Sequence, residues 1–436
     1  MNKRGKLIEH HALLDNRKGS ALIAALLLVA VSSILGATIL FATSTDLQIS
    51  GNYRRAIQSF YAAEAGLAET QRRLSGLPVS NSVFLGDPSA PYQPNWSTYV
   101  FSHAGWKPGH DQSYSALLTN YVPLPGNGTN TIAMPNSVQS EVAYWTKVHH
   151  KTEYDAEQDG HRQAIPHYLD GDGVTTLHSM SNRGQIIQFG YPLAASVKPE
   201  QFTSSLPTLY VPVEVITSHG QVEGADSILQ ADVTHPTGPP VWAPIYIGNE
   251  VVFLGGKITI QGIDSCGLLP VGRPPISLAT SATLVGTASF TGNPSTPQIS
   301  PKSLDLGQQI KDLKKGSTKV TTDFIGMNVG SATFPAVYYA EPSNGTLTVS
   351  QVTGYGILLV KGNVQIAPPF LWEGLILVSG QVTFSGGLGS SILNGVLYAD
   401  RVQVLNNDVS ITLDTCPIAA TLRTLPLQVL TWRQLL

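Results

Sequence analysis

Residues 18–74 read KGSALIAALLLVAVSSILGATILFATSTDLQISGNYRRAIQSFYAAEAGLAETQRRL. After its first residue the stretch carries no charge before Asp46, then becomes amphipathic, and the next proline is Pro78. Because proline is the strongest interrupter of helices, this pattern predicts one helix over residues 20–76. At 1.5 Å of rise per residue such a helix is roughly 80 Å long, far longer than an ordinary globular helix.

The first half of this helix is long enough to cross a bilayer. Residues 21–42 supply 22 uncharged residues, and about 20 span the hydrocarbon core. The net charge is −3, to which residues 1–19 contribute +3, so the rest of the chain carries −6. Basic residues before an apolar helix orient that end to the cytoplasm and the C-terminal body outward. An acidic body gives no reason to expect nucleic-acid binding.

The N-terminal segment can be interpreted in three ways. A secretory signal peptide needs a short apolar region and a cleavage site, whereas this apolar run is long and continues into an amphipathic helix. A plain membrane anchor fits the physics. The third reading rests on two motifs: Arg17-Lys18-Gly19 directly before SALIAAL, and GNYRR at residues 51–55 followed by FYAAEAGL at residues 60–67.

These motifs resemble the type III (prepilin) signal and the PilX-type N-terminal domain of type IV pilus assembly proteins. The signature positions are Ala62, Ala63, Glu64, Ala65, Gly66 and Leu67. The resemblance implies a leader over residues 1–19, cleavage after Gly19 by prepilin peptidase, and methylation of Ser20. It also implies packing of the helix into a pilus core, with other minor and major pilins and the pilus assembly platform as partners.

One position departs from the pattern of major pilins. Those proteins carry a glutamate at the fifth mature position, where this chain has Ala24, and no acidic residue occurs before Asp46. An unpaired glutamate in lipid costs free energy, so an alanine at this position favours a stable helix in the membrane. It also removes a pairing group, which favours a minor subunit at a special place such as the fibre tip.

The amphipathic half presents one apolar stripe. Its members are Tyr53, Ile57, Phe60, Leu67 and Leu74. The stripe can be buried in two ways, either by the chain's own next domain or by the helices of partner subunits. We expect both, with more self-packing toward Leu74.

Composition predicts a β-rich body, since charged residues make up only 13% and there are 41 Gly and 29 Pro. The expected fold class is α+β, mainly β, with a pilin-like helix, a pilin-like antiparallel headgroup over residues 77–239 and a C-terminal domain over 240–436. Four headgroup strands are predicted from alternation and flanking turn residues: Ser140–His149, Ile186–Phe189, Leu209–Thr217 and Ile228–Val233.

The headgroup also holds the most chemical-looking residues. Asp170 and Asp172 lie in the sequence LDGDG, which has the appearance of a calcium-binding turn, although no glutamate follows at EF-hand spacing. A plain polar β-turn is the alternative. Five histidines fall within 30 residues, at 149, 150, 161, 167 and 178, but apart from the adjacent first two they lack the spacing of metal ligands. A solvated loop is the favoured interpretation of these histidines, and a transition-metal site is the alternative. The expected cofactor is none, with calcium at Asp170 and Asp172 as the alternative.

The C-terminal domain contains an internal repeat. GILLVKGNVQI at residues 356–366 aligns with GLILVSGQVTF at 374–384, a shorter copy begins at Gly395, and residues 245–263 resemble an earlier copy. Repeats of about 20 residues with glycine corners predict a β-solenoid (β-helix), and a β-sandwich with similar hairpins is the alternative. Residues 303–315 are predicted to form a short helix that covers an open side.

Cys266 and Cys416 are the two cysteines of the chain. Outside the cytoplasm two cysteines usually pair, which predicts a disulfide that ties the beginning of this domain to its end. Two buried free thiols are the alternative. The domain also resembles, more loosely, one commonly attached to PilX-type helices.

The sequence predicts a structural protein and not an enzyme, because the ionisable residues of the repeat are sparse and the common catalytic motifs are absent. The expected function is that of a minor pilin-like subunit. It would sit in the inner membrane with its body in the periplasm, then enter an extracellular pilus or pseudopilus, where a tip position allows priming or surface attachment to an unknown ligand. An inner-membrane-anchored adhesin or envelope protein that never enters a fibre is the alternative.

Overall fold

The computed structural model describes residues 6–74, 97–101, 142–152, 155, 186–191, 199–203, 211–269, 271–280 and 282–435. These residues form the helices α1 (Lys6–Leu74), α2 (Leu306–Leu313) and α3 (Cys416–Leu422). The strands, in chain order, are β1 (Ser97–Phe101), β2 (Val142–His150), β3 (Ile187–Gly190), β4 (Glu200–Thr203), β5 (Val211–Pro212), β6 (Glu214–Val222), β7 (Ala225–Thr234), β8 (Ile245–Leu254), β9 (Ile258–Gln261), β10 (Ile276–Leu278), β11 (Thr283–Val285), β12 (Ser289–Thr291), β13 (Gln298–Ile299), β14 (Thr318–Val320), β15 (Phe324–Ile325), β16 (Asn328–Val329), β17 (Ala336–Ala340), β18 (Thr346–Val360), β19 (Asn363–Phe384), β20 (Ser390–Leu405), β21 (Asp408–Thr412) and β22 (Gln428–Leu435).

Helix α1 is a single rod of 69 residues. It is roughly 100 Å long at 1.5 Å per residue. Its end at Leu74 agrees with the predicted end near residue 76, but it begins at Lys6, within the segment predicted to be a leader, and not at residue 20 as predicted. The physical reason is that residues 6–17 contain neither proline nor glycine and consist largely of residues that favour helix.

A five-stranded sheet receives the C-terminal third of α1. Its strand order is β1-β2-β6-β7-β22, and every neighbouring pair is antiparallel. A tight turn at Glu223 and Gly224, with φ of 44° and 84°, joins β6 to β7. Positive φ at both central residues matches the twist of a hairpin. The helix and sheet enclose a core that includes Leu67, Leu74 and Ile216.

The predicted headgroup strands are present with two differences. Ser140–His149 and Ile228–Val233 correspond to β2 and β7, whereas Leu209–Thr217 is split between β5 and β6. Ile186–Phe189 corresponds to β3, which lies in a separate three-stranded sheet of order β4-β3-β5.

The last strand corrects the predicted division of the chain. Residues 240–436 were expected to form one C-terminal domain, but β22 pairs with β7 in the five-stranded sheet, with Gln428 opposite Thr234. The chain therefore leaves this sheet after Thr234, builds the C-terminal region, and returns. The pairing of β22 with β7 could not be predicted from the local sequence, because tertiary packing decides which strand pairs with which.

The C-terminal region is built on a 14-stranded sheet in which every pair is parallel. The predicted repeats lie side by side: Gly356 pairs with Gly374, Gly374 with Gly395, and Ile245 with Leu397. Parallel pairing argues against the β-sandwich alternative, whose sheets are antiparallel. No closed sheet forms among the described residues, so the solenoid stays a prediction.

Glycine at the aligned corners has a steric cause. Gly374 has a φ of 131°, and a Cβ there would clash with the carbonyl oxygen of Gly356 on the neighbouring strand. Gly356 and Gly395 have the same geometry. Only glycine lets the backbones approach this closely.

This sheet has apolar residues on both sides. One side forms a core with Ile376 and Trp372. The other side is covered by α2 and α3, which bury Leu306, Ile310 and Ile418 against it. The predicted helix over residues 303–315 is thus present as α2, begins after the N-cap Asp305, and covers a sheet face.

Cys266 and Cys416 form the predicted disulfide, with their Cα atoms 5.4 Å apart. Buried Asp264 accepts hydrogen bonds at the same place from the Thr415 hydroxyl at 2.7 Å, from the Thr415 amide at 3.0 Å and from the Leu269 amide at 3.0 Å. The bridge and this carboxylate together hold the start of α3 against the loop after β9.

Candidate functional site

The candidate site is α1 itself, whose C-terminal third is seated on the five-stranded sheet and whose described side chains before that third are exposed. The signature residues mark the seat. Ala62, Ala63, Gly66 and Leu67 are buried, whereas Glu64 and Ala65 are exposed. The signature therefore alternates as one face of a helix does, with its small residues toward the sheet.

Two glycines allow the helix and sheet to approach closely. A Cβ on Gly66 would lie 2.5 Å from the Ser218 Oγ and 2.6 Å from the Tyr144 Cδ2. On the sheet, a Cβ on Gly220 would clash with the backbone of α1 at Ser59 and Ala63. Sequence reasoning missed Gly220, although a lone glycine inside a strand is the known signal for close backbone approach.

Hydroxyl groups fix the register of the contact. The Ser59 and Ser227 hydroxyls share a hydrogen bond of 2.8 Å, and those of Thr70 and Thr146 share one of 2.6 Å. In addition, the Ser218 hydroxyl donates to the Ala63 carbonyl at 2.6 Å. These bonds are buried, where a hydroxyl left unpaired would be costly, so sliding of the helix along the sheet is opposed.

The apolar stripe changes from buried to exposed along the helix. Leu67 and Leu74 are buried, and half-buried Phe60 makes an edge-to-face contact with Trp432 of β22. Ile57 is 37% exposed and Tyr53 is 69% exposed. The sheet thus covers the C-terminal part of the stripe, as the sequence predicts. Sequence reasoning did not connect Trp432 with this helix.

The N-terminal half of α1 is apolar and exposed. Every described side chain from Ser20 to Ser50 is exposed, including Ala24. The helix is long and apolar enough to span a membrane. Hydroxyls at Thr38, Thr43 and Thr45 donate to the carbonyl four residues earlier, at 2.6, 2.8 and 2.9 Å. Polar groups satisfied within the helix suit an environment without water.

Of the predicted histidine cluster, only His149 and His150 belong to the described residues, and the structure does not bring them together as metal ligands. The His150 Nδ1 lies 2.9 Å from a Glu214 carboxylate oxygen, whereas the His149 Nε2 lies 3.5 Å from Asp155. Asp170, Asp172 and the other three histidines lie outside the described residues, so calcium at the two aspartates stays a prediction.

Gly19, the predicted cleavage position, lies within α1 and directly precedes exposed Ser20. The structure thus presents the residues named for processing on a continuous helix that leads into the apolar half.

The comparison with family models agrees with the interpretation of the N-terminal helix. Residues 18–68 match the family model of the PilX N-terminal domain. No curated protein sequence matches the chain. Among solved structures, the crystal structure of the competence-associated pilin ComZ from Thermus thermophilus is similar over 87% of this chain and 97% of that chain, at 11% identity and a TM-score of 0.21. A TM-score this low does not establish a common fold. Over residues 18–68 the chain is thus similar to the PilX N-terminal domain of type IV pilins.

Proposed function

We propose that this protein is a minor pilin-like structural subunit of a type IV pilus or pseudopilus. Prepilin peptidase cleaves it after Gly19, and Ser20 becomes the methylated N-terminus. The mature chain resides in the inner membrane with its body in the periplasm until it enters the fibre. Its partners are other pilins and the assembly platform.

The observation that carries this proposal is the division of α1 into a C-terminal third that is seated on the sheet and a longer exposed part. An exposed apolar surface of this length is unstable in water and needs cover. Lipid supplies the cover before assembly, and neighbouring helices supply it in a fibre. Because the C-terminal third of α1 is fixed by close packing on the sheet, the exposed part of the helix projects from the body as a rigid rod.

We further propose a position at the fibre tip. Ala24 offers no carboxylate to pair with a neighbour's N-terminal amine, and this suits a subunit with a unique place better than a repeating one. The C-terminal region, which we interpret as a β-solenoid, is then displayed for priming or for surface attachment.

The proposal is tested by changing Gly19 to Val and locating the protein in membrane and fibre fractions. We expect the variant to keep its leader, as mass spectrometry of the N-terminus reports, and to be missing from sheared fibres. Gly36→Val is the matched control, since a Cβ there meets no atom within 4 Å; its leader should be removed as in the wild type.

The alternative is a membrane-anchored adhesin or envelope protein that never enters a fibre. In that case the wild-type chain keeps its Met1 end, and Gly19→Val changes neither its size nor its location. Uniform abundance along purified fibres would instead overturn the tip position alone.

A further inference from the structure

Lysines gather at one end of the C-terminal sheet, around α2 and the edge strand β14. Residues 302–319 contain five lysines and two aspartates, a local charge of +3, although the whole chain carries −3. Lys311, Lys314, Lys315 and Lys319 are all exposed, and we call these four the lysine cluster. Among the described residues none of the four forms a salt bridge.

Two members of the cluster, Lys314 and Lys319, lie beside Tyr339 of β17. The Lys314 Nζ lies 5.5 Å from the centre of the Tyr339 ring, and the Tyr339 hydroxyl donates to Glu341 at 2.9 Å. Glu341 also accepts from the Lys361 Nζ at 2.7 Å. Lys319 lies opposite Tyr339 in the pairing of β14 with β17. Lys361 holds the pKa of the Glu341 carboxyl below its ordinary value, and Lys319 adds to the effect.

Helix stabilisation explains only part of this arrangement. Lys311, Lys314 and Lys315 lie at the C-terminal end of α2, where positive charge interacts favourably with the helix dipole. Lys319 lies beyond the helix on β14, and Lys361 follows β18, so neither contributes to capping α2. Cations therefore reach the same surface from one helix and two strands.

The composition of the surface indicates what it binds. All its cations are lysines, which act as compact point charges and do not impose the paired geometry with which arginine recognises phosphate. The Tyr339 side chain is buried and offers no platform on which nucleic-acid bases stack. Lys319 on β14 and Lys361 after β18 are separated by one strand, roughly 10 Å across the sheet, so a linear polymer laid across this edge would meet both.

We propose that the lysine cluster binds a linear polysaccharide that carries carboxylate groups. A role of this site in surface attachment rests on the proposed function, in which the C-terminal region is displayed on a fibre. Binding of the polysaccharide can be measured on the purified chain without a fibre. Failure of binding therefore leaves the cleavage test of Gly19 unaffected, and the two results are separable.

The test measures binding of the full chain, in a nonionic detergent, to alginate and to neutral dextran of similar size. We expect alginate to bind with an affinity that falls as salt rises, because exposed charges are screened, and dextran not to bind. The double variant Lys315→Gln, Lys319→Gln should lose roughly tenfold in affinity, from two exposed charge pairs. The double variant Lys257→Gln, Arg401→Gln removes two exposed cations outside the cluster and should bind as the wild type does.

Two results would overturn the proposal. One is equal alginate binding by both double variants, since this would mean that the cluster is not the site. The other is tighter binding of a duplex DNA fragment, or of phosphatidylglycerol vesicles, than of alginate through the same lysines, since this would assign the site to another class of polymer. Unchanged thermal unfolding of both variants confirms that each is folded.

Discussion

At the scale of single residues, His235 is the group whose ionisation is most clearly coupled to folding. It follows β7 directly, is 8% exposed, and its carbonyl accepts a hydrogen bond from the Gln428 side chain of β22. Burial lowers the pKa of His235 to about 4, although a hydrogen bond to Leu425 and the charge of Glu214 oppose the shift. The native state therefore holds this ring neutral.

This burial predicts a pH-dependent stability. Between pH 6.5 and about 4 the unfolded chain binds a proton at His235 that the folded chain excludes. The stabilisation is complete above pH 6.5 and is lost as the pH falls to about 4, up to roughly 3 kcal/mol. Urea unfolding of the full chain across this range measures the effect. In His235→Gln, which does not titrate, this part of the slope should vanish. An unchanged slope would assign the dependence to other groups.

At the scale of elements, the contact between α1 and the five-stranded sheet depends on the absence of a side chain at Gly66. We expect Gly66→Ala to lower the free energy of unfolding by about 1–3 kcal/mol, because the added methyl overpacks the contact with Ser218 and Tyr144. Gly51→Ala lies in the same helix with no atom within 4 Å of the new Cβ. It should stabilise the helix by up to about 1 kcal/mol. Denaturant unfolding in detergent compares the two, and a matching gain in both would show that the seat is loose.

Much of the element structure could be predicted from sequence. Helix α1, the strands β2 and β7, and helix α2 follow from proline placement and apolar periodicity. The predicted beginning of α1 was wrong because it was placed at the predicted cleavage position, whereas residues 6–17 contain no proline or glycine that would interrupt the helix. The partners of Gly66 could not be predicted, since Tyr144 and Ser218 lie more than 70 residues away in the sequence and meet it only through the sheet.

At the scale of the whole molecule, the C-terminal region is inserted between two neighbouring strands, β7 and β22, of the five-stranded sheet. The disulfide lies where the chain turns back toward that sheet, and it closes a loop with a sequence separation of 150 residues. A loop of this size loses considerable entropy in the unfolded state when it is closed.

Replacing both cysteines should therefore destabilise the C-terminal region. We expect Cys266→Ser with Cys416→Ser to lower its free energy of unfolding by roughly 2–5 kcal/mol. Reduced wild-type protein is the control and should match the variant, which itself should not respond to reductant. Identical denaturant midpoints for the oxidised wild type and the variant would contradict a stabilising role for the bridge.

By itself the sequence determined the long helix, its apolar and amphipathic parts and the aligned glycine repeats, because each is specified by local spacing. The sequence favoured a bridge between its two cysteines but left free thiols open, and the structure joins them. Only the tertiary structure decided that α1 runs unbroken from Lys6, that β22 returns to the sheet of β7, and that lysines of α2 and β14 share one surface. These features depend on contacts between residues far apart in the chain. A local sequence pattern shows that a surface must be buried, but it does not show which distant part of the chain buries that surface.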